Sequence, residues 1–175
     1  MKHSSLALII LSMCAAFAVR PGALADEKQK EMEAAIATFQ SKDFERAEQQ
    51  FRALLQGKVS ESTAGKARFN LGITLKIQKK YADAVKEFET ILTSGVDDRE
   101  PGENLMEEFM NYRYRSCLQI ASCYEAQNDI PHALASVKLA RDKFKYEAHC
   151  GTCAAQAKEG LDARLKVLEA KARKG

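Results

Sequence analysis

Tryptophan is absent from the 175 residues, proline occurs only three times, and past the N-terminus no stretch alternates apolar and polar residues as a strand does. So little proline leaves helices uninterrupted, since an interior proline removes a backbone donor and clashes with the preceding turn. No glycine-rich phosphate loop and no Ser/His/Asp arrangement occurs, so nucleotide-binding and serine-hydrolase chemistry have nothing to stand on. Charge of one sign is also scarce in excess: 27 Lys+Arg face 24 Asp+Glu. A nucleic-acid or anionic-membrane footprint needs a concentrated basic face, and near balance argues against both. What is abundant is Ala, Glu, Lys, Leu and Gln, the good helix formers.

One long apolar run exists, and it is N-terminal. Lys2 precedes Leu6 to Val19, about fourteen apolar residues, and Ala23-Leu24-Ala25 offers the small-x-small pattern of signal cleavage. The run is shorter than the roughly 20 residues that span a bilayer. The expectation is a cleaved signal peptide over 1–25, a periplasmic or secreted product of one domain over 26–175, and no membrane attachment after cleavage. Lipidation at Cys14 is disfavoured, because Met13 is large where a small residue is needed. Loss of Lys2 and Arg20 leaves 25 basic against 24 acidic residues, a mature charge of +1.

The mature part repeats itself. "FERAEQQFRALL" (44–55) and "YADAVKEFETIL" (81–92) share an aromatic, an Ala, a Phe and a Leu/Ile-Leu pair at offsets 0, 3, 7, 10 and 11, shifted by 37 residues. "IPHALASVKLARDKF" (130–144) places Ile130, Ala133, Val137 and Ala140 at offsets 0, 3, 7 and 10. These offsets lie along one stripe of an α-helix. A helical segment precedes each of them, over 33–43, 67–78 and 116–129, so the unit is a helical hairpin, repeated.

Leu71-Gly72, Leu75, Tyr81, Ala84 and Phe88 resemble the tetratricopeptide repeat, whose pattern is Leu-Gly-x-x-Tyr followed by Ala-x-x-x-Phe. Ala34, Ala35, Thr38, Phe44, Ala47 and Phe51 fill the same positions in copy one; Ile120, Ala121, Tyr124, Ile130, Ala133 and Val137 do so in copy three. The family's Trp and its late Pro are missing from all three copies. Small residues at Gly72 and Ala84 let the paired helices approach, and large ones at Tyr81 and Phe88 fill the space beside them.

The resemblance implies an all-α, right-handed solenoid: repeats over about 28–61, 65–98 and 103–146, then a capping helix over about 149–173. Before copy three, "TSGVDDREPGENLMEEFM" adds length. Gly95 and Pro101-Gly102 end one helix, and Glu103 with Asn104 is expected to start a long one reaching Gln127. Asp97, Asp98, Glu100 and Glu103 fit no calcium loop and read as a solvated acidic turn. Ala154, Ala157, Leu161, Leu165, Leu168 and Ala172 give the terminal helix its apolar stripe, which the last hairpin needs.

Four cysteines remain after cleavage: Cys117, Cys123, Cys150 and Cys153. Cys150 and Cys153, one helical turn apart in "HCGTC", form a possible disulfide stapling the cap to copy three, with a Cys117–Cys150 bridge or simple buried thiols as alternatives. A thiol-disulfide or metal-binding protein is the competing class. A redox Cys-x-x-Cys begins a helix that follows a strand, and here a helix precedes it. A zinc site would need His149, both cysteines and a fourth ligand such as Cys117 or His132. No covalent haem is expected, because Ala154 follows the second Cys.

The family's inner, concave wall is built from first helices. By resemblance it comprises Gln29, Met32, Ile36, Phe39 and Gln40 from copy one, and Lys66, Phe69, Ile73, Lys76 and Ile77 from copy two. Copy three adds Arg115, Leu118, Ser122, Glu125 and Ala126. The expected partner groove is Met32, Ile36, Phe39, Phe69, Asn70, Ile73, Ile77, Arg115 and Leu118. The chaperone-carboxylate clamp known in one subfamily is absent: its positions read Met32, Ile36, Asn70, Arg115 and Gln119, and the two apolar residues remove needed donors. So apolar a wall calls for a cover, either the chain's own C-terminal helix, a second copy in a homo-oligomer, or a partner's peptide or helix. Tyr112-Arg113-Tyr114-Arg115 spreads over several helix faces and makes no nucleic-acid site. The expected function is a non-enzymatic, cofactor-free protein-binding module of the cell envelope.

Overall fold

The computed structural model describes residues 21–99, 101 and 109–174, the side chains of 21–26 excepted. Among them are seven helices: α1 (Pro21–Gln40), α2 (Phe44–Gln56), α3 (Glu61–Ile77), α4 (Tyr81–Thr93), α5 (Tyr112–Ala126), α6 (Ile130–Asp142) and α7 (Gly151–Ala172). The expected signal segment lies outside the described residues up to residue 20, and its last part falls within α1. Helices α1/α2, α3/α4 and α5/α6 pair as hairpins, each hairpin stacks on the next through α2·α3 and α4·α5, and α7 closes on α6. This is the all-α helical solenoid with a terminal cap that the repeat pattern implied. No strand occurs among the described residues, only an isolated antiparallel bridge between Pro101 and Phe109.

The three hairpin turns share one backbone device. Lys42, Lys79 and Asn128 adopt left-handed conformations, with φ of 66°, 62° and 58°. At Lys79 the chain closes a Schellman motif: its N–H donates to Lys76 O at 3.0 Å, and the Lys80 N–H reaches back to Leu75 O at 2.9 Å. Asn128 and Asp129 repeat this on Glu125 O and Tyr124 O, at 3.0 and 2.8 Å. Asp43 and Asp129 then accept from the backbone N–H of Arg46 and His132, both at 3.2 Å, and so cap the second helices of their hairpins.

Small residues sit where helices meet. Ala35, Ala47, Ala84, Ala121, Ala133 and Ala140 are fully buried between helices, with Phe51, Leu54, Leu71, Leu75, Phe88, Ile91 and Val137 filling around them. Each large side chain buried this way contributes about 1.5–3 kcal/mol. The buried side chains form two clusters. One runs from α1 along α5 as far as Cys123, and the other joins Tyr114, Cys117 and Val137 to Leu161, Leu165 and Leu168 of α7.

The expectation of a long helix beginning at Glu103 is corrected. Helix α5 starts at Tyr112; Glu103, Asn104 and Leu105 lie outside the described residues. The reason is hydrogen bonding between segments distant along the chain. Asn111 turns left-handed at φ 49°, and its N–H donates to Asp98 O at 2.9 Å. The Asp98 carboxylate accepts from the Arg113 backbone N–H and from its guanidinium, both at 2.8 Å. Arg113 also donates to Ser94 O at 2.7 Å. The acidic turn is therefore tied down at Asp98 rather than wholly solvated. Asn111 itself is buried, and its side-chain amide joins this connection to the segment after α6. It donates to Glu147 O at 3.0 Å and to Phe109 O at 3.1 Å, and accepts from Glu147 N–H at 2.7 Å.

Candidate functional site

The inner wall is built from α1, α3 and α5, whose first-helix faces line up because α1·α3 and α3·α5 touch directly. The nine expected groove residues do not share one environment. Met32 is 1 % exposed and Phe69 6 % exposed; both belong to the core. What covers them is the chain's own connection before α5. Tyr112 packs edge-on to Phe69 at 6.2 Å between ring centroids, and a hollow of about 160 Å³ is lined by Met32, Lys66, Met110 and Tyr112. The Arg115 guanidinium lies 4.9 Å from the Phe69 centroid, a cation–π contact over what remains accessible of that ring. Sequence reasoning missed Met110 and Tyr112 as wall residues, because Met110 lies in the non-periodic stretch and Tyr112 is the first residue of α5, beside it.

The far end is covered as well, by α7. Arg164 donates to Glu125 Oε1 at 2.9 Å, to Ser122 Oγ at 3.0 Å and to Leu118 O at 3.3 Å. Three expected wall residues of copy three are thereby held by the chain's own cap. Between these covers lies the open part. Ile36, Phe39 and Ile73 are half-buried against the core, and Ile77, one turn beyond Ile73, is 43 % exposed. Asn70 folds its amide onto Lys66 O at 2.9 Å, within its own helix. Lys76 bonds Gln119 across from α3 to α5, which bridges the wall while leaving the ammonium charge without a counter-ion at that contact.

The cysteines are placed differently from the staple expectation. No disulfide joins any of the four described cysteines. Cys150 is the N-cap of α7, and its sulfur accepts from the Cys153 backbone N–H at 3.2 Å. Cys117 and Cys123 are buried. Burial pushes the Cys117 thiol up to about 12 and raises that of Cys123, so both stay protonated near neutral pH. Cys117 is buried while Cys150 is exposed, and no bridge joins them. His149 stacks edge-on to Phe109 at 4.9 Å. Among the described residues no group of three His, Cys, Asp or Glu side chains is placed to hold a metal, and no helix is long and apolar enough to cross a membrane.

No protein-family model and no curated protein matches the chain. Solved structures do. The chain is similar to the crystal structure of the Yersinia enterocolitica type III secretion chaperone SycD in complex with a peptide of the translocator YopD, at TM-score 0.61 and 17 % identity. That match covers 83 % of this chain and 95 % of the other. A second structure of the Yersinia enterocolitica translocator chaperone SycD matches at TM-score 0.60 and 16 % identity, covering 85 % and 87 %. At such identities the likeness is one of fold: a helical, tetratricopeptide-like stack. The same finding corrects the expected periplasmic or secreted destination. The neighbours in fold are named as type III secretion chaperones, not as periplasmic or secreted proteins.

Proposed function

We propose that this chain is a tetratricopeptide-type binding module, without catalytic chemistry of its own, that holds an apolar segment of a partner protein on its inner wall. The observation that carries the reading is the open strip at Ile36, Phe39, Ile73 and Ile77. Large apolar side chains on first helices stay accessible there, although the chain covers both neighbouring stretches of the same wall. An extended or helical peptide with aliphatic anchors suits such a strip. A fold neighbour captured with a translocator peptide supports the reading.

The test separates binding from folding. A peptide selected from a display library against the purified chain is titrated onto wild type and onto Ile73→Asp and Ile77→Asp. Neither residue is fully buried, so the helical circular-dichroism spectrum should be kept while affinity falls at least tenfold. Unchanged affinity in both variants would place the peptide elsewhere and remove the strip from the account.

A further inference from the structure

A second concavity lies away from the inner wall, between the end of α6 and the first half of α7. It has a volume of about 560 Å³ and is floored by Tyr114, Tyr146, Ala140, Ala154 and Leu161. Its origin can be read from α7. The buried leucines, Leu161, Leu165 and Leu168, run from the middle of that helix toward its C-terminus. The N-terminal half presents Cys153, Ala154 and Ala157, which are too small to fill the gap to α6. The two floor tyrosines meet edge-to-face at 5.4 Å, and the Tyr114 hydroxyl points to Ala157 O at 3.4 Å. The floor is thus aromatic and aliphatic.

The rim carries a net positive charge. Arg141, Lys145 and Lys158 line it, with Asp142 as the lone acid. Arg141 and Asp142 neutralise each other through two contacts, Nε to Oδ1 at 2.6 Å and Nη2 to Oδ2 at 3.0 Å. The ammonium groups of Lys145 and Lys158 remain as the net charge over an apolar hollow. Small-molecule sites have this character: a concave, mostly apolar body of about 300–1,000 Å³ with a few polar groups that fix orientation.

We propose that the α6–α7 cleft binds a small amphipathic carboxylate, its aryl or alkyl body on Tyr114, Tyr146 and Leu161 and its carboxylate between Lys145 and Lys158. The charge complementarity selects an anion over a cation or a neutral analogue, and the volume suits a ligand of monocarboxylic-acid size rather than a peptide. Occupancy would complete the packing of α7 on α6 and stiffen the cap.

The probe is 4-phenylbutyrate, with 4-phenylbutanol and 4-phenylbutylamine as matched neutral and cationic arms, titrated onto the full chain by calorimetry. With no tryptophan present, tyrosine emission, to which Tyr114 and Tyr146 contribute two of five tyrosines, is followed in parallel. Saturable one-site binding of the carboxylate is expected, at least tenfold tighter than either analogue. Lys145→Glu with Lys158→Glu should weaken it at least tenfold without changing the melting temperature, because both side chains are exposed. Ala154→Phe, which fills the hollow, should abolish it. Equal binding of the alcohol or amine, retention of affinity in the charge-reversed protein, or absence of saturation would each overturn the proposal.

Discussion

The ring of Phe88 occupies the space a side chain on Gly72 would need: a Cβ at Gly72 would stand 2.6 Å from both Cε1 and Cζ of that ring. Phe88 is fully buried and cannot swing aside. Gly72→Ala therefore sets a helix-propensity gain of about 1 kcal/mol against overpacking of about 1–3 kcal/mol. The net expectation is a loss of up to about 2 kcal/mol in chemical denaturation. Phe88→Leu in the Gly72→Ala background should cost less than in wild type, and a double-mutant cycle with no coupling would contradict the contact.

The Asn111 amide gives a second measurement. Replacing it by Ala leaves the Glu147 backbone N–H and carbonyl without their Asn111 partner in a half-buried place. The expected loss is about 2–3 kcal/mol, read as a lower denaturation midpoint. Hydrogen exchange at the Glu147 amide should rise in the variant, and its persistence at the wild-type rate would show that the clasp is dispensable.

Lys79 predicts the opposite sign. A lysine held at φ 62° is strained by roughly 1 kcal/mol, and glycine adopts that conformation freely. Lys79→Gly should raise the melting temperature by about 2–4 °C despite the entropy glycine adds to the unfolded chain. A fall would mean that the lysine stem stabilises more through packing than its backbone costs.

Cys117 makes alkaline stability depend on one thiol. Below about pH 9, the ordinary value, folded and unfolded chains both hold the proton and the contribution is complete. Between that value and about 12 the unfolded thiol ionises while the buried one does not, so stability falls as pH rises. The slope from this group is at most about 1.4 kcal/mol per pH unit. Burial raises Tyr114 and Tyr124 too, which adds slope of the same sign. Urea melts at pH 8 to 11 should therefore lose stability faster for wild type than for Cys117→Ala, and parallel curves would refute the assignment. Alkylation followed by peptide mapping should label Cys150 and Cys153 at least a hundredfold faster than Cys117 and Cys123.

The hairpins were legible because their cause is periodic. Ala47, Ala84 and Ala133 recur with an aromatic or β-branched partner four residues on, and the structure buries all three between helices. Gly72 was legible for the same reason, a small residue demanded by close approach. The start of α5 was not, because Asp98 and Asn111 act through long-range hydrogen bonds that leave no period in the chain. The fate of the wall was legible at one end only: the terminal helix that carries Arg164 was among the expected covers, whereas Met110 and Tyr112 reach the face of Met32 and Phe69 from a stretch whose spacing does not mark where it folds. The Cys-x-x-Cys spacing suits a bridge and an N-cap equally well, and only the orientation of Cys150 decides between them.

Asparagine suits the left-handed bend at Asn128, but lysine is not the residue one would choose at Lys42 and Lys79, yet the chain makes the same bend three times. The reversal is imposed by the mass of side chains on either side, much as a folded sheet takes its crease from the weight laid on each half. A polypeptide ordered in this way tolerates broad rewriting at its corners, and its evolutionary freedom lies there rather than along the seams where Gly72 meets Phe88.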